Sequence, residues 1–157
     1  MSHIDTTSLP ASDAPAIGVA VLGSTGSIGV STLDVIARHP RRFRVTVLTA
    51  NTHVDRLFEQ CRQFKPRLAV MLDPQAAEAL ATRLRTAGIA TTVRAGADAL
   101  QAAAADSASA IVVAAIVGAA GLMPTLSAVR AGKRVLLANK EPLVMCGDRL
   151  INEARAA

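Results

Sequence analysis

From residue 17 onward, short runs of four to six residues rich in aliphatic and β-branched side chains take turns with longer segments whose apolar positions recur every three or four residues. The runs fall at 17–22 (IGVAVL), 44–49 (RVTVLT), 68–72 (LAVML), within 88–93, at 110–113 and at 134–138. Runs this short, bounded by turn residues, mark strands buried on both faces. The periodic segments predict helices over 28–39, closed by Pro40, and over 54–64, where Val54, Leu57, Phe58, Cys61 and Phe64 share one side. Further helices are predicted over 74–87, entered through Pro74, over the alanine-rich 97–105, over 124–131, stopped by Gly132, and from 142 to the end.

Strands alternating with helices predict right-handed βαβ units and therefore an α/β protein with one doubly wound, mostly parallel, Rossmann-like sheet. A single domain over 16–157 is expected, with the polar, proline-containing residues 1–15 as a disordered N-terminal tail. No run approaches the length of a membrane span and the tail has no hydrophobic signal core, so a cytoplasmic protein without a membrane partner is expected. The chain closes on a helix where such a sheet would add another strand. This reads as part of something larger, truncated before its catalytic domain.

Composition changes this picture only in detail. Aromatic residues make up 2% of the chain, with Trp and Tyr absent, so the core must come from close packing of Ala, Val, Leu and Ile. The formal net charge is +5, but Lys and Arg are scattered and no basic run is interleaved with aromatics. That argues against a nucleic-acid partner; phosphorylated small molecules or a solvated surface account for the charge. Cys61 and Cys146 lie far apart without metal-ligand spacing and read as small buried thiols in a reducing compartment.

The densest chemical signal is the spacing Gly23-x-x-Gly26-x-x-Gly29 between the first strand and the first helix. Glycine lets the backbone take positive φ and approach a phosphate without a Cβ in the way. The helix start then offers N–H groups and the positive end of its dipole to a pyrophosphate. Ser24, Thr25 and Ser27 add hydroxyl donors around the same loop. A dinucleotide site is expected here, the plain alternative being a structural turn.

The end of the second strand bears on which dinucleotide. NAD-binding versions of this fold place an acid there for the ribose 2′-hydroxyl. This chain has Asn51, Thr52 and His53 instead, with Arg56 one turn further on, which favours NADP; an ordinary polar loop with a helix cap is the alternative. Asn139-Lys140-Glu141 follows the last strand, where ligands of open parallel sheets sit, although a Lys–Glu pair at such a junction is often only a surface ion pair. His3, His39 and His53 are too dispersed to assemble a catalytic triad or a metal set.

Three segments in order, Gly23-Ser-Thr-Gly-Ser-Ile-Gly29, Ala115-Ile-Val-Gly-Ala-Ala-Gly-Leu122 and Leu137-Ala-Asn-Lys-Glu141, resemble the 1-deoxy-D-xylulose 5-phosphate reductoisomerases. The resemblance runs from about residue 17 to the chain end. It implies the amino-terminal, NADPH-binding part of an enzyme that rearranges 1-deoxy-D-xylulose 5-phosphate and reduces the product to 2-C-methyl-D-erythritol 4-phosphate, on the non-mevalonate route to isoprenoids. It implies Mg²⁺ or Mn²⁺ and a homodimer for the full-length protein. Position by position, it assigns Thr25, Gly26, Ser27 and Ile28 to the NADPH pyrophosphate, Asn139 and Glu141 to the cofactor, and Lys140 to the phosphorylated sugar substrate. Two departures stand out: Asn51-Thr52-His53 where a Gly-Lys-Asn-like run is usual, and Pro142 where the family has a small residue. The family's metal-binding Asp-Ser-Glu motif lies beyond these residues, so this chain alone is expected to be inactive. The alternatives are the cofactor domain of another NADP-dependent dehydrogenase of the semialdehyde type, and a non-catalytic NADP(H)-sensing module.

Overall fold

A computed structural model describes residues 14–157. The expectation for the N-terminal tail lies, up to residue 13, outside the described residues. Six strands form the sheet: β1 (Ile17–Leu22), β2 (Phe43–Ala50), β3 (Leu68–Met71), β4 (Thr92–Ala95), β5 (Ile111–Ala114) and β6 (Arg134–Leu137). Their order is β4-β3-β2-β1-β5-β6 and every neighbouring pair is parallel. The chain winds outward from β1 to β4, then returns to pair β5 with the other edge of β1. The connecting helices are α1 (Ser27–Arg38), α2 (Val54–Phe64), α3 (Pro74–Thr86), α4 (Ala97–Ala104), α5 (Leu122–Arg130) and α6 (Glu141–Ala156).

Alternation of side chains along the strands builds a core on each face of the sheet. Val19, Val21, Val45 and Leu48 pack with Leu33 and Ile36 of α1, Leu57 and Cys61 of α2, and Leu80 and Leu84 of α3. Ala20, Leu22, Val47, Val70 and Val112 pack on the opposite side with Leu100, Ala103 and Ala104 of α4 and Ala128 of α5. The three rings, Phe43, Phe58 and Phe64, pack only at the margin of the first core, and elsewhere elements approach closely. A Cβ on Gly18 would stand 2.0 Å from the Ala108 carbonyl oxygen. A register shift in β1 between Val19 and Ala20 accompanies a buried hydroxyl pair, Thr46 Oγ1 to Ser109 Oγ at 2.7 Å.

Local chemistry sets the element ends. Asp73 caps α3 by accepting from the Ala76 N–H at 2.7 Å, with Pro74 in the first turn as predicted. The strand expected within 88–93 is displaced to Thr92–Ala95. Gly88 takes φ +66° and the Ile89 N–H returns to the Leu84 carbonyl, so the chain is still closing α3 where the apolar pattern suggested a strand. A 3₁₀ turn at Ala119–Gly121 leads into α5, which starts two residues before Pro124. Helix α6 is kinked by non-helical backbone at Cys146 (φ −155°, ψ 43°), beside Gly147.

Helices α5 and α6 meet through Leu126, Val129 and Leu150. At their rim Arg130 clasps Glu153 through both carboxylate oxygens, and Arg149 reaches the same carboxylate at 3.1 Å. The Arg130 guanidinium holds the Glu153 carboxyl at about 2, below its ordinary 4.5. A carboxyl depressed on folding stabilises the fold above its ordinary value, and the contribution is lost as pH falls through the depressed one. We expect Glu153→Gln to melt below the native chain at neutral pH. The gap should close as pH falls from about 4.5 to about 2; a gap unchanged over that range would show that the clasp contributes nothing.

Candidate dinucleotide site

The winding direction reverses between β1 and β5, and a cleft of about 290 Å³ opens beyond the carboxyl ends of these strands. Its near wall is the loop from β1 to α1: Gly23, Thr25, Gly26, Ser27 and Ile28. Thr49, Ala50 and Asn51 at the end of β2 line it too, and Leu72 and Leu100 give it an apolar side. Ala115, Ile116, Val117 and Ala120 after β5 form the far wall.

The three glycines have different reasons to be there. Gly23 takes φ +77°, and a Cβ on it would stand 2.9 Å from the Ala115 carbonyl oxygen and 3.1 Å from the Ile116 nitrogen. Gly29 seats the first turn of α1 on the loop, where a Cβ would meet the Gly23 oxygen and Ser24 Cα at 2.5 Å each. Gly26 is exposed, and a Cβ there would meet only the Gly23 oxygen at 3.5 Å, so the packing of the fold itself does not require glycine at this position. No side chain caps α1 and no acidic residue occupies its first turn. The bonds of the helix begin with the Val30 N–H to the Gly26 carbonyl at 2.9 Å. The positive end of the helix therefore faces the loop without a carboxylate to neutralise it.

A buried polar set holds the loop from behind. The Gly23 N–H donates to Thr49 Oγ1 at 2.9 Å and the Ser24 N–H to the Thr49 carbonyl at 2.8 Å. The Ser24 hydroxyl donates to Gln60 Oε1 at 2.7 Å, Gln60 Nε2 donates to the Ser24 carbonyl at 2.8 Å, and Arg56 Nη1 donates to the Thr25 carbonyl at 2.8 Å. Ser24 is thus no ligand donor, contrary to the sequence expectation: it is fully buried and its hydroxyl is spent inside the protein. Gln60 had no sequence signal beyond a polar residue on the inward face of a helix.

Of the residues singled out from sequence, Thr25, Gly26, Ser27, Ile28 and Asn51 line the cleft. Thr52 and His53 are exposed beside it at the entry to α2, and the His53 side chain makes no capping bond. Among the described residues, no carboxylate lines the cleft. Asn139 lies outside the lining but is tied to it, its Nδ2 donating to the Ile116 carbonyl. Its Oδ1 is buried and has no hydrogen-bond partner among the described residues. Lys140 is exposed and N-caps α6, which Glu141 opens; Pro142 fits the first turn. Cys61 and Cys146 are both free, and burial pushes the Cys61 thiol up to about 12, which rules it out as a nucleophile. Among the described residues, no three His, Cys, Asp or Glu side chains are grouped so as to hold a metal, and no helix is long and apolar enough to cross a membrane.

Comparison with known proteins is consistent along almost the whole chain. The family model of 1-deoxy-D-xylulose 5-phosphate reductoisomerase matches residues 19–147. The enzyme of that name from Nitrosospira multiformis is 60% identical over 127 residues, which are 81% of this chain and 32% of the relative. That from Aromatoleum aromaticum is 61% identical over 136 residues, 87% of this chain and 34% of the relative. A crystal structure of DOX-P reductoisomerase in complex with NADPH, fosmidomycin and magnesium superposes with a TM-score of 0.86 at 46% identity, over 89% of this chain and 34% of the other. The Zymomonas mobilis enzyme in complex with NADPH gives 0.86 at 44% identity, over 91% and 37%. The chain therefore spans about a third of the length of these relatives. On its sequence, its sheet order and its glycine loop alike, this chain belongs to the 1-deoxy-D-xylulose 5-phosphate reductoisomerase family.

Proposed function

We propose that this chain is the NADPH-binding region of an enzyme that rearranges and reduces 1-deoxy-D-xylulose 5-phosphate to 2-C-methyl-D-erythritol 4-phosphate in non-mevalonate isoprenoid biosynthesis. The observation that carries the reading is the uncapped, carboxylate-free loop of Gly23, Gly26 and Gly29 at the point where the strand order reverses. Two features fit the cofactor: bare backbone at Gly26 for a pyrophosphate, and the Asn139 Oδ1, buried without a partner among the described residues and an acceptor suited to a cofactor N–H or O–H.

In this reading Thr25, Gly26, Ser27 and Ile28 hold the pyrophosphate against the N-terminus of α1. Asn51, Thr52 and His53 meet the 2′-phosphate, which a carboxylate at that place would repel. Asn139 and Glu141 contact the cofactor, and Lys140 places a positive charge where the sugar phosphate develops negative charge. Bound NADPH supplies the hydride for the reductive step. The Mg²⁺ or Mn²⁺ ligands are assigned to polypeptide outside this chain, and the complete enzyme to a cytoplasmic homodimer.

Calorimetric titration of the chain with NADPH and with NADH tests the cofactor assignment. NADPH is expected to bind at least tenfold more tightly, about 1.4 kcal/mol. Equal affinities would overturn the role given to residues 51–53, and no binding of either would overturn the site. With substrate, NADPH and Mg²⁺ supplied, this chain alone is expected to form no product; steady turnover would refute the division of labour.

A further inference from the structure

We infer that Gln60 is a positioning residue for the cofactor loop: with Arg56 it turns the loop's peptide planes so that their N–H groups, and not their carbonyl oxygens, face the cleft. The inference rests on the dinucleotide reading above and adds a residue that touches no cofactor.

Gln60 and Arg56 lie one turn apart on α2 and take successive carbonyls, Ser24 O at 2.8 Å and Thr25 O at 2.8 Å. No residue of α2 lines the cleft, so both carbonyls are drawn away from it. In a trans peptide the C=O and the following N–H point in opposite directions. Holding Ser24 O and Thr25 O toward α2 therefore turns the N–H groups of Thr25 and Gly26 the other way. Of the two, the Gly26 N–H donates to the Gly23 carbonyl at 3.2 Å, so the Thr25 N–H is the one left for a ligand: no bond engages it among the described residues.

The amide of Gln60 can serve in one orientation only. Its oxygen accepts from the Ser24 hydroxyl and its nitrogen donates to the Ser24 carbonyl, so one side chain grips one residue at two points. Both partners are buried, Ser24 completely and Gln60 with 8% exposure, which shields the bonds from competing water. A flip of the Ser24–Thr25 peptide would present a carbonyl oxygen to an anionic phosphate. If loss of Gln60 leaves the loop correctly turned about one tenth of the time, apparent affinity falls about tenfold.

The test compares two ligands. NADPH carries the pyrophosphate and adenosine 2′-monophosphate does not, though it keeps the adenine and the 2′-phosphate. Gln60→Met is expected to weaken NADPH about tenfold while changing the 2′-monophosphate by less than about twofold. Ser24→Ala, which removes only the hydroxyl that Gln60 Oε1 accepts from, is expected to shift affinity in the same sense by less. It carries the test if the Gln60 variant does not fold. Equal losses for both ligands, or an unchanged NADPH affinity in the folded variants, would overturn the positioning role. Failure of the native chain to bind NADPH would instead overturn the underlying reading, and this inference with it.

Discussion

Gly29→Ala is expected to lower the stability of the chain by about 3 kcal/mol and to weaken NADPH binding well beyond tenfold. A Cβ at this position would lie 2.5 Å from the Gly23 oxygen and Ser24 Cα and 2.7 Å from the Ser24 carbonyl carbon, where ordinary contact begins at 3.4 Å. Every one of these atoms is backbone, so no side chain can rotate aside. The loop cannot retreat either, because Thr49 and Gln60 hold it from β2 and α2. Helix α1 must move instead, and it carries Leu33 and Ile36 out of the core with it. Gly26→Ala makes the comparison sharp, since its Cβ meets nothing closer than 3.5 Å. It should leave urea unfolding nearly unchanged and still weaken NADPH by obstructing the approach to bare backbone. Equal unfolding free energies for the two variants would refute the close-packing argument.

The second large effect is expected at Leu57, which is fully buried between α2 and the sheet. Leu57→Ala removes apolar contacts that a surface side chain never makes, and should cost about 3 kcal/mol plus whatever cavity remains open. That is a large share of the roughly 5–15 kcal/mol that holds a domain folded. Because α2 also delivers Arg56 and Gln60 to the loop, NADPH affinity should fall as well, even where the variant is still mostly folded. Val144→Ala, at a side chain 78% exposed, should change stability by less than about 0.5 kcal/mol. A Leu57 variant as stable as the Val144 variant would show that α2 is held by something other than this core.

Much of the fold was legible because both kinds of element announce themselves locally. Short runs rich in aliphatic and β-branched side chains are what two-sided burial demands of a parallel strand, and β1, β2, β3, β5 and β6 fall within a residue or two of where the runs lie. β4 was misplaced because its residues are largely exposed at a sheet edge, so Ile89 outweighed them in the pattern. The order of the strands is another matter. Nothing local says that β5 returns to β1; that follows from how the whole sheet buries its faces.

At the site, glycine spacing and the missing acid could be read directly, and the resemblance led to the family that comparison shows. The same comparison sets aside the semialdehyde-dehydrogenase alternative. Leu72 and Leu100 escaped notice because the elements that bring them into the cleft are far apart in sequence, and an apolar side chain carries no mark of the ligand it will face. Ser24 was misread for the opposite reason: a hydroxyl in a glycine loop looks like a donor until its buried partner on α2 is known.

The return of β5 to β1 bears on how the protein is made. The loop emerges from the ribosome with β1, but its facing wall follows β5, about ninety residues later. At 5–20 residues per second, roughly 5–18 s of synthesis separate the two. Until β5 is made, a β1 that has already paired with β2 would have its other edge bare, an open ladder that any extended segment nearby could occupy. The nascent chain thus holds half a binding site and a vacant strand edge together, and completing the first is what closes the second.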